Sequence, residues 1–393
     1  MNQHPFVIRQ VFQLIPKYTF EKFVKHYKGD YRYRHFNSYN HLFHLLFGQV
    51  TGCDSIRDIC LCLEVHENAL YHLGILKTVD HSTLSRAGEK RDYRIFEGLG
   101  FEMIRIVSPL YKNEEVPDLE SFKAGEMYAI DSTTISCSIK LMTWALGKYS
   151  KGAIKMHTIL NLKGSIPDMV VITDGKYHDS NFLDEFEPHP NAFYVMDKAY
   201  VDFKALWEFN TAGSYWVTRP KDNIQYEEVE RNYNIDDINT GLRYDAIIRL
   251  TGYKSSQLYP EVIRLVRYYD SENDRMISFI TNCMDISALE VTQLYRNRWQ
   301  IEVFFKWIKQ NLTIKYLWGC SENTVKIHLW CAVIAYLLIA YAKAIYKSSY
   351  TVTECATIIR VSAFERTDIA TLLTKRQPET LLQNQNVNEL TLF

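Results

Sequence analysis

Met127-Tyr-Ala-Ile-Asp131 marks the point where the chain changes texture. Before it, apolar residues recur at helical spacing; after it come short β-branched and aromatic runs separated by turn residues. Met127–Asp131, Lys155–Leu162, Met169–Thr173, Phe193–Met196 and Tyr215–Thr218 read as strands, and Ser180–Phe186 and Val201–Phe209 as helices. Five strands with late helices predict an α/β layered core. Two of these runs finish on a carboxylate: Asp131 ends the first, and Asp197 follows Phe193-Tyr-Val-Met. An aspartate after a strand is ordinarily a turn former or a helix N-cap, so either one alone says little.

Upstream, residues 1–112 read as an all-α domain. Phe6, Val7, Val11, Phe12 and Ile15 recur at helical spacing, as do Leu42, Leu45, Leu46 and Val50. This part carries 15 Lys and Arg against 11 Asp and Glu, whereas residues 113–289 carry 18 against 27. The whole chain is at −1, which argues against a non-specific nucleic-acid binder, but a basic front and an acidic middle suit a DNA-holding part joined to a metal-binding one. Lys17–Arg34 interleaves six Lys and Arg with Tyr18, Phe20, Phe23, Tyr27, Tyr31 and Tyr33, a texture for phosphate contacts with aromatic support. Asp80-His-Ser-Thr-Leu-Ser-Arg86 reads as an N-cap and a helix whose first turn exposes Ser82, Thr83, Ser85 and Arg86. Such a helix start could enter a DNA groove; a capped structural helix explains it as well.

Downstream, 219–275 is rich in Tyr, Val, Ile, Asn and Asp with alternating stretches such as Glu261–Arg267, and reads as a mostly β insertion. A long helix is predicted from near Ser287 to about Leu312. On it Tyr295, Arg298, Glu302, Lys306 and Lys309 fall within an arc of roughly 80°, bounded by Trp299, Val303 and Trp307 on one edge and by Ile301, Phe305, Ile308 and Leu312 on the other. One carboxylate among cations and a phenol is how a site would look if it held a metal and gripped phosphates beside it. Surface ion pairs of Glu302 with Arg298 and Lys306 are the plainer explanation. Glu302 alone could not hold a hydrolytic metal, because such sites need carboxylates from several elements; Asp131 and Asp197 are the candidates.

Tyr295-x₂-Arg298-x₃-Glu302-x₆-Lys309 resembles the Y-R-E-K signature of transposases of insertion-sequence family four. Ile130-Asp131-Ser-Thr-Thr and Met196-Asp197-Lys-Ala-Tyr200 resemble that family's first and second catalytic segments, in the same order. The resemblance covers roughly residues 125–315. It implies an α/β fold with a ribonuclease-H-like catalytic core, 125–218 and 276–345, interrupted by the β insertion 219–275. The all-α domain 1–112 would precede this core, and a helical segment with a polar tail, 346–393, would follow. Carried over residue by residue, it makes Asp131, Asp197 and Glu302 the catalytic ligands of Mg²⁺, with Mn²⁺ able to substitute. Tyr295, Arg298 and Lys309 become contacts to phosphates beside the cut, with Trp299 and Lys306 next to the DNA end. The partners it implies are double-stranded DNA, as terminal inverted repeats and target, and a second copy of the chain in a paired-end complex. Relatives that pass through a DNA hairpin stack a flipped base on a tryptophan of the insertion. No Trp lies between Val217 and Gln293 here, which leaves Trp216, a tyrosine, or a different end-processing step.

Lys155-Met-His157 and His178-Asp179 also resemble family segments. Paired His and Asp could form a second metal site, but the structural reading is preferred: His157 packs or hydrogen-bonds within its strand and Asp179 caps the next helix. Eight cysteines are scattered with one close pair, Cys60-Leu-Cys62, which suits free thiols in a reducing compartment. The apolar run Leu329–Ala342 is short of the roughly 20 residues that span a bilayer and reads as a buried helix. No secretory signal is recognised at the start, so a prokaryotic cytoplasmic protein on the nucleoid, with no membrane partner, is expected. The rivals are a metal-dependent nuclease of the same fold and a catalytically inactive DNA-binding derivative.

Overall fold

A computed structural model describes residues 4–73, 75, 78–119, 125–138, 142–145, 147, 152–233 and 240–374. The predicted polar tail from Lys375 to Glu389 lies outside these. The chain forms two compact units, Met1–Leu110 with Trp307–Phe393, and Tyr111–Lys306.

The first unit is helical. Helices α1 (Val7–Phe12), α2 (Lys17–His26), α3 (Ser38–Thr51), α4 (Ile56–Val65), α5 (Glu67–Leu73), α6 (His81–Lys90) and α7 (Arg94–Val107) come from the front of the chain. The second unit holds β1 (Met127–Cys137), β2 (Gly152–Asn161), β3 (Ile166–Asp174), β4 (Phe193–Met196), α8 (Phe203–Thr211), β5 (Tyr215–Thr218), β6 (Tyr226–Arg231), β7 (Leu242–Leu250), α9 (Tyr253–Leu258), β8 (Ile263–Asp270), β9 (Arg275–Thr281) and α10 (Ala288–Asn297). The chain passes between the units within α11 (Trp299–Asn311), and α12 (Glu322–Ile345), α13 (Val352–Val361) and α14 (Ile369–Thr374) complete the helical one.

Among the described residues the nine strands form one sheet in the order β3-β2-β1-β4-β5-β9-β8-β7-β6. β1 to β3 are antiparallel neighbours, whereas β4 runs parallel to β1 and β5 parallel to β4. This is the ribonuclease-H-like arrangement that the resemblance implies. The strands of 219–275 do not form a separate sheet, since β9 pairs with β5 and carries β8, β7 and β6 outward from the core.

The five predicted core strands are present, with one correction that bears on the site. Asp131 is the fifth of eleven residues in β1, not its end. Met127 to Ile130 are buried, and beyond Ser132 buried and exposed residues alternate at Thr133, Thr134, Ile135 and Ser136. The carboxylate therefore sits where a strand covered on both faces becomes covered on one. The predicted helix Ser180–Phe186 is a 3-10 turn, Asp179–Glu185.

The stretch 276–345, expected as the second part of the core, is divided between the two compact units. Residues up to Lys306 belong to the sheet unit, but α12 packs with α3, α6, α7 and α13 in the helical one. A helix apolar on all sides needs neighbours on all sides. At 24 residues α12 is long and apolar enough to cross a bilayer, yet 89% of its most apolar window is buried inside the protein.

The helical core encloses histidines in the neutral form. Nδ1 of His328 accepts the Trp318 N–H at 3.2 Å, Nε2 donates to the Thr313 carbonyl at 2.5 Å, and the ring stacks on Trp318 at 4.1 Å. Burial lowers His328 and His44 to about 4. Both folded values lie below the unfolded one near 6.5. Below about pH 6.5 the unfolded chain therefore takes up protons that the folded one refuses, and stability is lost as pH falls toward 4, by about 3 kcal/mol per histidine at the end of that window. Melting temperature measured from pH 7 to 4.5 should fall, and more gently in His44→Gln by about one proton's worth; parallel curves would show that His44 is not the group responsible.

Candidate active site

β1 and β4 are parallel neighbours with Ile130 opposite Met196. The next residue on each is an aspartate, so this register sets Asp131 and Asp197 side by side at the carboxyl end of β4. In open α/β sheets that is the end where crevices form. Asp197 also caps the 3-10 turn Lys198–Tyr200 by accepting the Ala199 N–H at 3.1 Å.

The third carboxylate arrives on a helix that is not continuous. The predicted span from Ser287 to Leu312 is two helices, α10 and α11, which meet at Arg298. α10 starts with a capping box between Ser287 and Glu290 and packs on β4, β5 and β7 to β9. At the junction the Arg298 N–H bonds the Tyr295 carbonyl at 3.1 Å and Ile301 bonds Arg298 at 3.2 Å, a tightened 3-10 turn of the kind that redirects a helix. The even 100° spacing assumed for the polar stripe fails at this point.

Arg298 ties the site together. Its Nη1 donates to Asp131 Oδ2 at 3.2 Å and its Nη2 to Glu302 Oε1 at 2.6 Å. The guanidinium is 15% exposed, against 21% for Asp131 and 35% for Glu302. Burial raises the Asp131 carboxyl to about 6; the Ser132 N–H and Arg298 oppose that rise, while Asp197 and Glu302 add to it. Asp197 and Glu302 are thus close enough to Asp131 to repel its charge. The structure brings together Asp131, Asp197, Glu302, Arg298 and Tyr295, whose ring lies 5.7 Å from the guanidinium.

Other predicted residues fall less simply. Trp299 and Val303, expected as an apolar border, are 61% and 51% exposed. Trp299 lines a groove of 380 Å³ with Tyr268, Tyr295 and Arg298. Lys306 is exposed. Lys309, in the last turn of α11, is half-buried, and burial with the nearby Lys315 lowers its amine. Trp216 is fully buried, which removes it as a surface for stacking a flipped base. In α6, Thr83 is half-buried and Arg86 exposed, but the Ser82 hydroxyl bonds the Asp80 cap and Ser85 lines an internal crevice with His41 and Trp318. Ser82 is thus exposed with its hydroxyl engaged by the cap, and Ser85 is half-buried.

A polar cluster behind Asp131 was misread from sequence. Asp179 does not cap a helix. It accepts from Ser132 Oγ at 2.8 Å and Lys155 Nζ at 3.0 Å, and lies 3.8 Å from His157 Nδ1. Burial alone would raise its carboxyl, but the bonds from Lys155 and Ser132 hold it below the usual range. His157 does bond within the sheet, to Thr173 at 3.1 Å. Tyr200, also missed, is buried, and its phenol is raised by burial and by the charges of Asp131 and Asp179, against which the Ser132 hydroxyl acts. The available signal was its place at the end of Asp197-Lys-Ala-Tyr200.

Comparisons with known proteins agree on one family. The profile described as the transposase DDE domain matches residues 123–338, and one described as a domain of unknown function matches residues 3–76. A Sinorhizobium fredii protein named as the transposase y4zB is 30% identical over 62% of this chain and 68% of its own. The protein named for the insertion sequence element IS4SA of Synechocystis is 29% identical over 67% of this chain and 72% of its own. Transposase InsG of the Escherichia coli element IS4 is 25% identical over 38% of this chain and 35% of its own. A piggyBac transposase synaptic complex with hairpin DNA is similar at TM-score 0.47 and 10% identity, covering 100% of this chain and 86% of that one. The chain belongs to the transposase DDE domain family, among the transposases of insertion-sequence family four, and is the transposase of an insertion sequence.

Proposed function

We propose that the protein binds the terminal inverted repeats of its element as a dimer on the bacterial nucleoid, cuts the ends, and joins them to target DNA with two divalent cations held by Asp131, Asp197 and Glu302. The observation that carries this is that Asp131 of β1 and Glu302 of α11 share the Arg298 guanidinium, with Asp197 at the end of the neighbouring β4 close enough to act on the Asp131 charge.

The donor set suits Mg²⁺ or Mn²⁺, being all carboxylate oxygen with no thiolate or imidazole among the three. Burial is the main reason the Asp131 carboxyl is raised, with the charges of Asp197 and Glu302 adding to it, and a bound cation would offset both. As they stand, no three ligating side chains among the described residues are gathered closely enough to hold an ion, and Arg298 bridges two of the proposed ligands. When bound, the cations would stabilise charge on the phosphoryl oxygens and ease deprotonation of water or a 3′-hydroxyl.

The chain's own residues do the rest. Asp197 is fixed by its cap and Asp131 by the Ser132 N–H at 2.8 Å, so the ligand positions are set by backbone. Arg298, a planar fork, can transfer from carboxylate to a DNA phosphate without changing the kind of bond it makes. No protein nucleophile is needed, and positioning supplies much of the rate.

The test uses the DNA that flanks the gene. Short inverted repeats bounded by direct duplications are expected there. Linear DNA carrying those repeats should be nicked at their ends in Mg²⁺ and joined to a plasmid, whereas scrambled ends should not. Cutting of both DNAs alike, with no joining, would favour the nuclease reading.

A further inference from the structure

Two stretches that the sequence marks separately, the cationic aromatic segment Lys17–Arg34 and the helix after Asp80, meet in the helical unit around one pocket of 560 Å³. Lys28 and Arg32 line it from the loop after α2, Thr83, Arg86 and Lys90 from one face of α6, and Arg91 from just beyond that helix.

Arg91 is the unusual member. It is 1% exposed; its Nε donates to the Gly29 carbonyl at 3.0 Å, one Nη bonds the Phe36 carbonyl, and its plane lies 4.3 Å over the Tyr33 ring. The other nitrogen, Nη1, is buried with no partner. Arg91 thus anchors the loop, and its buried charge is incompletely met from within the protein. Asp30 approaches Arg91 at 3.6 Å, but the same oxygen already accepts from the N–H and hydroxyl of Ser38 at 2.6 and 2.8 Å.

The remaining cations are also short of anions. Among the described residues no carboxylate comes within ion-pair distance of Lys28, Arg32, Arg86 or Lys90, and the Asp92 carboxylate on the pocket wall is gripped by Arg94 at 2.5 to 3.1 Å. The loop backbone is strained as well. Lys28 and Arg32 stand at φ 53° and 66°, a left-handed conformation that costs a non-glycine residue energy and tends to persist at working sites. Such a density of uncompensated positive charge, held on a pre-shaped loop and a helix face, suits consecutive phosphates rather than one small anion.

We propose that this pocket grips the DNA backbone, with the exposed Arg86 and Lys90 of α6 and Lys28 and Arg32 of the loop on successive phosphates and the buried Arg91 guanidinium adding its charge from beneath them. This deepens the transposase reading and rests on it, because it takes the DNA held to be that of the element ends.

The test is binding of the full-length protein to two fluorescent duplexes, one bearing the gene-flanking repeat and one scrambled, across a salt series. Arg86→Ala/Lys90→Ala is the informative variant, since both side chains are exposed, whereas replacing Arg91 would cut the loop from its anchor. It should weaken binding to both duplexes about tenfold at 0.1 M salt, flatten the slope of log affinity against log salt by about two, and leave the melting temperature unchanged. A matched loss of charge from α2, Lys22→Ala/Lys25→Ala, should change the slope by less than half as much. If the pocket variant keeps wild-type affinity and slope while the wild type still nicks DNA in Mg²⁺, the pocket assignment is wrong and the transposase reading stands. Equal losses in both variants would show general charge and also overturn it. A wild type that neither binds nor nicks either duplex would take down both.

Discussion

Replacing Asp131, Asp197 or Glu302 by alanine is expected to abolish Mg²⁺-dependent nicking, by at least about 10³-fold, while DNA affinity stays within a few-fold. The structure sharpens what each variant should do to the fold. Asp131 is half-buried beside two other carboxylates, with its own carboxyl raised to about 6. Its ionised form is therefore a cost to the metal-free fold at neutral pH, and Asp131→Asn should melt at or slightly above the wild-type temperature in EDTA. Asp197 is different because it caps a turn. Asp197→Ala should lose about 1 kcal/mol with the cap, whereas Asp197→Asn keeps an acceptor oxygen and should lose only activity. Nicking, duplex affinity and melting are to be measured together on all the variants. A variant that keeps more than about a hundredth of wild-type nicking while folded removes that residue from the ligand set.

What could be read from the chain, and what could not, follows the range of the interactions. Phe193-Tyr-Val-Met is apolar throughout and bounded by turn residues, so a buried parallel strand followed by Asp197 was legible. The remainder of β1 was not. Ser132-Thr-Thr-Ile-Ser136 is polar enough to pass for a turn, and only pairing with β2 along its whole length makes it strand. Spacing offered Glu302 as the partner of Arg298, four residues on, and that pair exists. Asp131, 167 residues away, could not be inferred from any periodicity. The fate of α12 was half legible. Its apolar character predicts burial, but which unit buries it depends on complementary faces of α3 and α7 that no local pattern encodes. The Asp80 cap was legible, yet its consequence, that Ser82 is tied to it, needed the side-chain geometry.

Arg298→Ala should act on stability and on catalysis, and a metal should separate the two effects. The guanidinium holds Asp131 at 3.2 Å and Glu302 at 2.6 Å. Removing it leaves Asp131 and Glu302 without the charge they share, with Asp197 near enough to repel Asp131. Breaking a fully buried pair costs about 3–5 kcal/mol; Glu302 is 35% exposed, so water screens it and about 1–2 kcal/mol is the better expectation. For a unit of this size that lowers melting by about 5 °C in EDTA. Mg²⁺ in millimolar excess should restore most of it, because a bound cation replaces the missing charge and stabilises by mass action. The wild type, which carries its own cation, should gain less from the same addition. Cleavage should stay down by about 10²-fold even where melting recovers, since the metal does not replace the donor pair that grips the phosphate. Arg298→Lys should recover part of the metal-free stability but little cleavage, an ammonium being able to serve one carboxylate or one phosphate oxygen at a time. Lys309→Ala, changed in the last turn of the same helix, should slow cleavage without the EDTA-specific loss of melting temperature. Single-turnover cleavage per folded molecule decides the matter: wild-type rates in Arg298→Ala, with melting lowered in EDTA and restored by Mg²⁺, would make Arg298 a counter-ion of the carboxylates and nothing more.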